Sequence, residues 1–425
     1  MIARLYEMKR EFSILGLFFT GIIVGIGTLF AFQRGGQDFE VFYQAWRLVL
    51  NGNGAEIYRV SPDRFLYAPG FAWLLSPLAL LPRALALGLW CLAKAAVLGL
   101  IIRFFSGRLY KDPLLATGVG GWAVLLLTRP ILIDFQYGQV NTFIVGAAVW
   151  ALLRHFGTPS GRASHWGWDV LSWGLLAVAA IAKIFPLPLL LVPWLAPAFA
   201  SSARIKNERW GVLIGVVLVA GIPFLGTGFS GGLEIYRGWS EALVMKGFPL
   251  ESHNQSFAAF LHHYFTRAAT PVLSEGGAVL PFGFDLFSTV TVRVLAFAWT
   301  LVSGFAVLVW LVWGYRRRAP VEWIAIVIAL LILPSHLVWK PYFVMGLPVA
   351  ILCAHSWLGS GKMMGIVLYL VAFALINLTG FDFVGHQLGP RLEAASLLLW
   401  THLGMIVAVL ISGMISVKTP GLRSS

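Results

Sequence analysis

The stretch "FSILGLFFTGIIVGIGTLFAF", Phe12 to Phe32, carries no charge, and it matches the roughly 20 apolar residues that a helix needs to cross a bilayer. No small-residue cleavage site follows it, so it reads as a retained helix and not as a signal peptide. Apolar segments of the same kind recur near 84–103, 113–129, 140–155, 169–183, 185–199, 210–226, 291–314, 321–334, 342–357, 363–379 and 396–416. They predict about twelve transmembrane helices, within a range of about ten to thirteen. Composition agrees: 59% of the residues are hydrophobic, the mean hydropathy is +0.81 and only 12% are charged. A soluble domain would carry about 25% charged residues. The expected fold is an all-α integral membrane protein, a single polytopic domain over residues 1–425 with both termini on one side.

A formal charge of +13 and a pI near 10.0 raise nucleic acid as a partner, but the placement of the basic residues argues against it. In the loops on the terminal side Lys and Arg far outnumber the acids, whereas the opposite loops hold about as many acids as bases. Such an excess marks the cytoplasmic face, so both termini are expected inside, and the Arg316–Arg317–Arg318 run is a topology anchor. Cys91 and Cys353 both fall within expected spans, which offers neither a disulfide framework nor a metal site. The nine histidines show no metal-binding spacing, and no metal or cofactor is expected.

Two segments of the outer side, 33–83 and 227–290, are far longer than a connection needs and too aromatic to be disordered. The first contains "GGQDFEVFYQAWRLVLNGNGAEIY". From Asp38 onward, Phe39, Phe42, Tyr43, Trp46, Val49 and Leu50 fall on one helical face, and Glu40, Gln44, Arg47 and Asn51 on the other. Asp38 stands where an N-cap belongs and Gly52 where a helix stops, so the sequence bounds a helix that lies flat at the membrane surface. After it, "FLYAPGFAWLLSPLALLP" is broken by Pro69, Pro77 and Pro82 and is expected to dip back onto the membrane face. No repeat of 20–50 residues is present.

The polar residues of the outer side come from scattered stretches: Asp38, Glu40, Tyr43 and Tyr67; then Arg129, Asp134, Gln136, Gln139 and Asn141 of "TRPILIDFQYGQVN"; then Lys183. "ESHNQSFAAFLHH" adds Glu251, His253, Asn254, Gln255 and Ser256, and "SHLVWKPYF" adds His336, Trp339 and Lys340. Their convergence on one membrane surface suits a polar group attached to a lipid. Each also has a plainer reading. Asp38 serves as an N-cap worth about 1 kcal/mol, Glu40 as part of a solvated helix face, and Lys183 as a snorkelling side chain at a helix end. Gln139 and Asn141 cap the following helix, with Gly138 allowing the turn. Asn254 caps a loop helix, and Phe42 and Trp46 anchor the surface helix in the interface. Lys94, near mid-span, needs a partner or water.

Four pieces of sequence in fixed order carry a resemblance: "DFEVFYQAWRLVLNGNGAEIYRVSPDRFLYAPGFAWLLSPLALLP", "QYGQVNTFIVGAAVWALL", "AVAAIAKIFPLPLLLVPWL" and "NQSFAAFL". Together they resemble glycosyltransferase family 87, membrane transferases of the C superfamily, over roughly residues 12 to 350. The resemblance implies that superfamily's fold, a bacterial inner-membrane location, and a hexose, mannose first, moved from a polyprenyl-phosphate donor to a lipid or glycan acceptor. It further implies an acid in the first extracytoplasmic loop acting as base with inversion at the anomeric carbon, and Asp38 stands in the matching position. Donor phosphate or sugar binding then falls to Arg129, Gln139, Asn141, Lys183, His336 and Lys340, with Glu40, Tyr43, Tyr67, His253, Asn254 and Gln255 as further candidates. One departure stands out. Many members of that family carry a His pair after a late-loop Trp, whereas here Trp339 is followed by Lys340, Pro341 and Tyr342, and His336 precedes it. Two rival readings remain at the level of sequence. A flippase of lipid-linked sugars needs a polar path through the membrane, hinted at only by Lys94; a non-catalytic scaffold tolerates Asp38→Asn.

Overall fold

Inside a bilayer every backbone N–H and C=O needs a partner within the chain, and helices supply it locally. The computed structural model describes residues 2–60, 65–157, 165–196, 201–246, 253–266, 284, 286–359 and 361–412, and among these there is no strand. Glu251, the 418–425 tail and much of the 227–290 segment lie outside the described residues.

Five helices are long and apolar enough to cross a membrane: Arg10–Arg34, Arg83–Ser106, Ser202–Lys246, Thr289–Gly314 and Lys340–Gly359. The count among the described residues rises to seven if each of two bent pairs makes one span. One pair is Pro113–Leu126 with Thr128–Tyr137, bent by 80°, and the other Leu388–Ala394 with Leu397–Ile411, bent by 49°. Further expected segments are present as shorter apolar helices, Trp166–Ala182, Pro320–Leu330 and Met363–Asn377. The segment expected near 185–199 is not a continuous helix. Pro186, Pro188 and Pro193 remove backbone donors there, and the described part forms a 3-10 turn, Leu187–Leu191, and a short helix, Val192–Leu195.

Placement within the bundle follows burial. The window of Lys340–Gly359 is 72% buried, against 22% for Ser202–Lys246, so the former runs through the centre and the latter along the flank. Its opening residues, Lys340 and Tyr342, are thereby carried into the interior.

The first long connecting segment, 33–83, packs against the described start of the second, 227–246. Gly228, at φ 73 and ψ 176, breaks the Ser202–Lys246 helix so that its last part turns back. Phe224 and Tyr236 stack across the break at 5.6 Å, and the Tyr236 hydroxyl donates to the Ala220 carbonyl. The returning arm meets the first segment through an Arg59–Glu234 ion pair and a Trp239 indole N–H on the Leu66 carbonyl at 3.0 Å. Pro69–Leu75 is helical and its Gly70 lies directly against the Val219 backbone, so the proline-broken stretch is fixed to a long helix.

Candidate functional site

The surface helix spans Gln37–Leu50, with Gly36 and not Asp38 at its N-cap. Asp38 is therefore released from the capping role and sits in the first helical turn. At the far end Gly52, at φ 78, stops the helix as expected. The apolar face is packed inside the protein: Phe39, Phe42, Tyr43 and Trp46 are buried, with Phe42 set edge-on to Tyr67 at 4.8 Å and Phe39 at 6.0 Å from Trp90. The reading of Phe42 and Trp46 as membrane-interface anchors is thus corrected, because the loop segment 65–71 and the Arg83–Ser106 helix cover that face. This packing fixes where the Asp38 carboxyl points.

It points at the "YGQVN" turn. Gly138 ends the Thr128–Tyr137 helix at φ 69, and a Cβ on it would stand 2.6 Å from the Cβ of Phe39, so the close approach of turn and surface helix requires a glycine. The Trp90 indole donates to the Gly138 carbonyl at 2.8 Å and locks the turn. Gln139 and Asn141 then turn their amides into the site. The Gln139 Nε2 donates to Asp38 Oδ2, while its Oε1 accepts from the Tyr67 hydroxyl and from Lys183 Nζ, each at 3.1 Å.

Lys183 directly follows the Trp166–Ala182 helix. Its ammonium donates to Asn141 Oδ1 at 2.8 Å and lies 3.8 Å from the centre of the Tyr342 ring. Among the described residues no carboxylate pairs with it, so this partly buried cation is held by two amide oxygens and a ring face. Behind it Asn141 Nδ2 donates to Asp134 Oδ1 at 3.0 Å, and Thr142 donates to the other oxygen at 2.6 Å. Lys94, the mid-span cation, finds its partner here. It pairs with Asp134 at 2.8 Å with both side chains fully buried, and donates to the Asp134 carbonyl as well.

Burial pushes the Asp38 carboxyl above the ordinary carboxylate range, while the Lys183 charge and the Gln139 hydrogen bond pull it back. Asp38 Oδ1 has no hydrogen bond from a described residue. The arrangement can therefore accept a proton at Oδ1 beside a cation available to an anion.

A second cluster gathers around Glu393, a residue that the sequence reading did not single out. Arg129 and Lys340 both reach Glu393 Oε1 at 2.5 Å, and His253 Nδ1 lies 3.0 Å from Oε2. Gln255 Nε2 donates to the Glu393 carbonyl at 2.7 Å, and the Arg129 backbone N–H donates to Asn377 Oδ1. The two clusters share elements: Arg129 and Asp134 lie on one helix, and Lys340 and Tyr342 on one 3-10 turn, Lys340–Gly346.

The structure thus brings Asp38, Tyr67, Gln139, Asn141 and Lys183 into one network, and Arg129, His253, Gln255 and Lys340 into its neighbour. The other candidates are engaged elsewhere. Glu40 pairs with Arg83 and accepts from Gln44, and Tyr43 donates to the Leu81 carbonyl. Asn254 Oδ1 accepts from the Ser256 and Val338 backbone N–H groups, so it ties two loops together, while Ser256 is the cap of helix Phe257–Phe265. His336 is exposed, and its carbonyl accepts from Asn254 and Ser256. Among the described residues no group of three or more His, Cys, Asp or Glu could hold a metal ion.

An apolar groove of about 1380 Å³ opens beside the first network. Phe71, Trp90, Val140 and Ala182 line it next to the site, and Arg108 and Arg154 line its far part. Leu92 and Leu100, on its Arg83–Ser106 wall, are exposed.

Among the described residues the protein is all-helical with membrane-capable spans, and it sets a carboxylate beside a cation without a carboxylate partner at the edge of an apolar groove, which defines a membrane protein with a polar site next to an apolar groove. The family model described as Glycosyltransferase family 87 matches residues 65–335. The chain belongs to that family and is a membrane glycosyltransferase. No curated protein and no solved structure matches it.

Proposed function

We propose that this chain transfers a hexose, mannose first among the candidates, from a polyprenyl-phosphate donor to a lipid or glycan acceptor at the extracytoplasmic face, forming an α linkage with inversion. The observation that carries the reading is the single Gln139 amide, which holds the Asp38 carboxylate at one end and the Lys183 ammonium at the other, at the edge of the groove. An isoprenoid chain lies in the groove, and its phosphate meets Lys183. Asp38 Oδ1 takes the proton of the acceptor hydroxyl as that oxygen bonds to the anomeric carbon. The bond from that carbon to the phosphate oxygen breaks, and the electron pair leaves on polyprenyl phosphate. This leaving group is already ionised, so no general acid is required, and the Lys183 charge stabilises the phosphate. Arg129 and Lys340 stand by as cations of the neighbouring cluster, and the active groups lie on the outer side of a polytopic C-superfamily fold.

Lys94, the residue that hinted at a polar path for a flippase, is paired with Asp134 in the interior, so a structural role accounts for its place in the span. The test is a donor panel. Membranes holding the full chain are given radiolabelled mannose, glucose or arabinofuranose on polyprenyl phosphate, or the nucleotide sugars. Label moving from polyprenyl-phosphate-mannose to a lipid or glycan supports the reading. Label moving only from a nucleotide sugar, or none moving while lipid-linked sugar crosses the bilayer faster, overturns it.

A further inference from the structure

A second amphipathic recess lies at the other end of the bundle. Gly211 packs against Val170 and Trp173, and Gly215 against Gly174 and Ala177. Residues 202–210 therefore lie at the Trp166 end of the Trp166–Ala182 helix, remote from Lys183. There a crevice of about 600 Å³ opens between the Val192–Leu195 turn and the start of Ser202–Lys246.

Its lining is sorted by chemistry. Lys206 and Arg209 face it together with Trp194 and Trp210, both about half exposed, and Val212 and Val216 continue the wall along the apolar helix. The Arg209 guanidinium lies 5.5 Å from the Trp194 ring centre, and its Nε donates to the Pro193 carbonyl at 3.2 Å, which fixes the group over the recess. Neither Lys206 nor Arg209 has a carboxylate partner among the described residues. Snorkelling cations and interfacial indoles are common singly. Here two cations with no counter-charge among the described residues share one recess, and its wall runs into the apolar span. The complement is a negative headgroup carried on an acyl chain.

We propose that this crevice binds one anionic phospholipid, with its phosphate on Lys206 and Arg209 and an acyl chain along Val212 and Val216. The site is separate from the sugar-transfer centre and does not depend on the proposed reaction. A basic side chain at an anionic membrane surface is worth about fivefold in affinity. The test is native mass spectrometry of the purified full chain given equal phosphatidylglycerol and phosphatidylcholine, with inorganic phosphate as a competitor. Wild type should retain phosphatidylglycerol preferentially and be indifferent to free phosphate. K206Q should lose about fivefold of the preference and K206Q/R209Q about 25-fold. V216W, which fills the recess and keeps both charges, should lose retention as well. Equal retention of the two lipids by wild type overturns the proposal. So does a preference that survives both K206Q and V216W, which places any lipid elsewhere, or displacement of the lipid by inorganic phosphate.

Discussion

Asp38 needs its charge to act as a base, and the structure surrounds it with groups that set when it has that charge. Its carboxyl is raised by burial and lowered by Lys183 and Gln139, with Asp134 raising it and Lys94 lowering it from further off. Transfer is then lost as pH falls through the Asp38 pKa, with the acid limb above the ordinary carboxylate range, and it declines again on the alkaline side because burial brings Lys183 down to about 7 and the phosphate loses its cation there. Lys183→Met removes the largest lowering influence and should move that limb to higher pH, and Gln139→Met should move it the same way by less. Profiles of kcat/KM against pH check both, and a limb that stays in place or moves down contradicts the assignment. Lys183→Met should also raise KM for the donor, because the cation that meets the phosphate is gone. At this scale Asp38, Lys183 and Gln139 were legible in the sequence, since each stands at the end of an apolar run where a polar side chain needs a reason. Glu393 was not. It looks like one more acid in an outer connection, and only the fold shows Arg129, Lys340 and His253 converging on it.

Among the elements, the "YGQVN" turn holds the surface helix and the Lys183 helix in register. Gly138→Ala adds a Cβ that meets Phe39 at 2.6 Å in a left-handed conformation, so the surface helix must shift. Transfer should fall at least about tenfold with the protein still folded, since misplacing a reacting group by about 1 Å costs about 100-fold; activity at the wild-type level would contradict the close-contact argument. The Lys94–Asp134 pair is the second device. Removing one member leaves a buried charge without a partner, a loss of about 3–5 kcal/mol, whereas removing both is far milder. Lys94→Met should therefore lower the thermal aggregation midpoint more than Lys94→Met/Asp134→Leu does, and the reverse order would count against a mutual pair. The surface helix was readable from its apolar face, but its start was not. Asp38 is a good N-cap residue by type, and the tight approach of Gly138 to Phe39 instead fixes the first turn at Gln37 with Gly36 before it. The 185–199 segment misled for the opposite reason, because its hydropathy suits a span while its prolines forbid a continuous helix.

For the whole molecule, the hydropathy pattern carried the all-helical membrane class without ambiguity, while the number of spans is harder to read because bends at Leu127 and near Ala395 divide apolar runs. The ends of many segments nevertheless bring their polar residues together, as the proposed lipid-borne substrate requires. Single cysteines placed at Gln44 and at Arg317 should label from opposite sides with an impermeant maleimide; labelling from the same side would contradict the assigned orientation. The central claim is that Asp38 is the base of a sugar transfer from polyprenyl phosphate. The most direct test compares wild type with Asp38→Asn at matched expression, measuring transfer of radiolabelled mannose from polyprenyl-phosphate-mannose to endogenous acceptors in membranes. Because Asp38 caps nothing, the variant should fold normally and lose transfer by about 100- to 10,000-fold. A folded Asp38→Asn variant that transfers mannose at the wild-type rate would contradict the account.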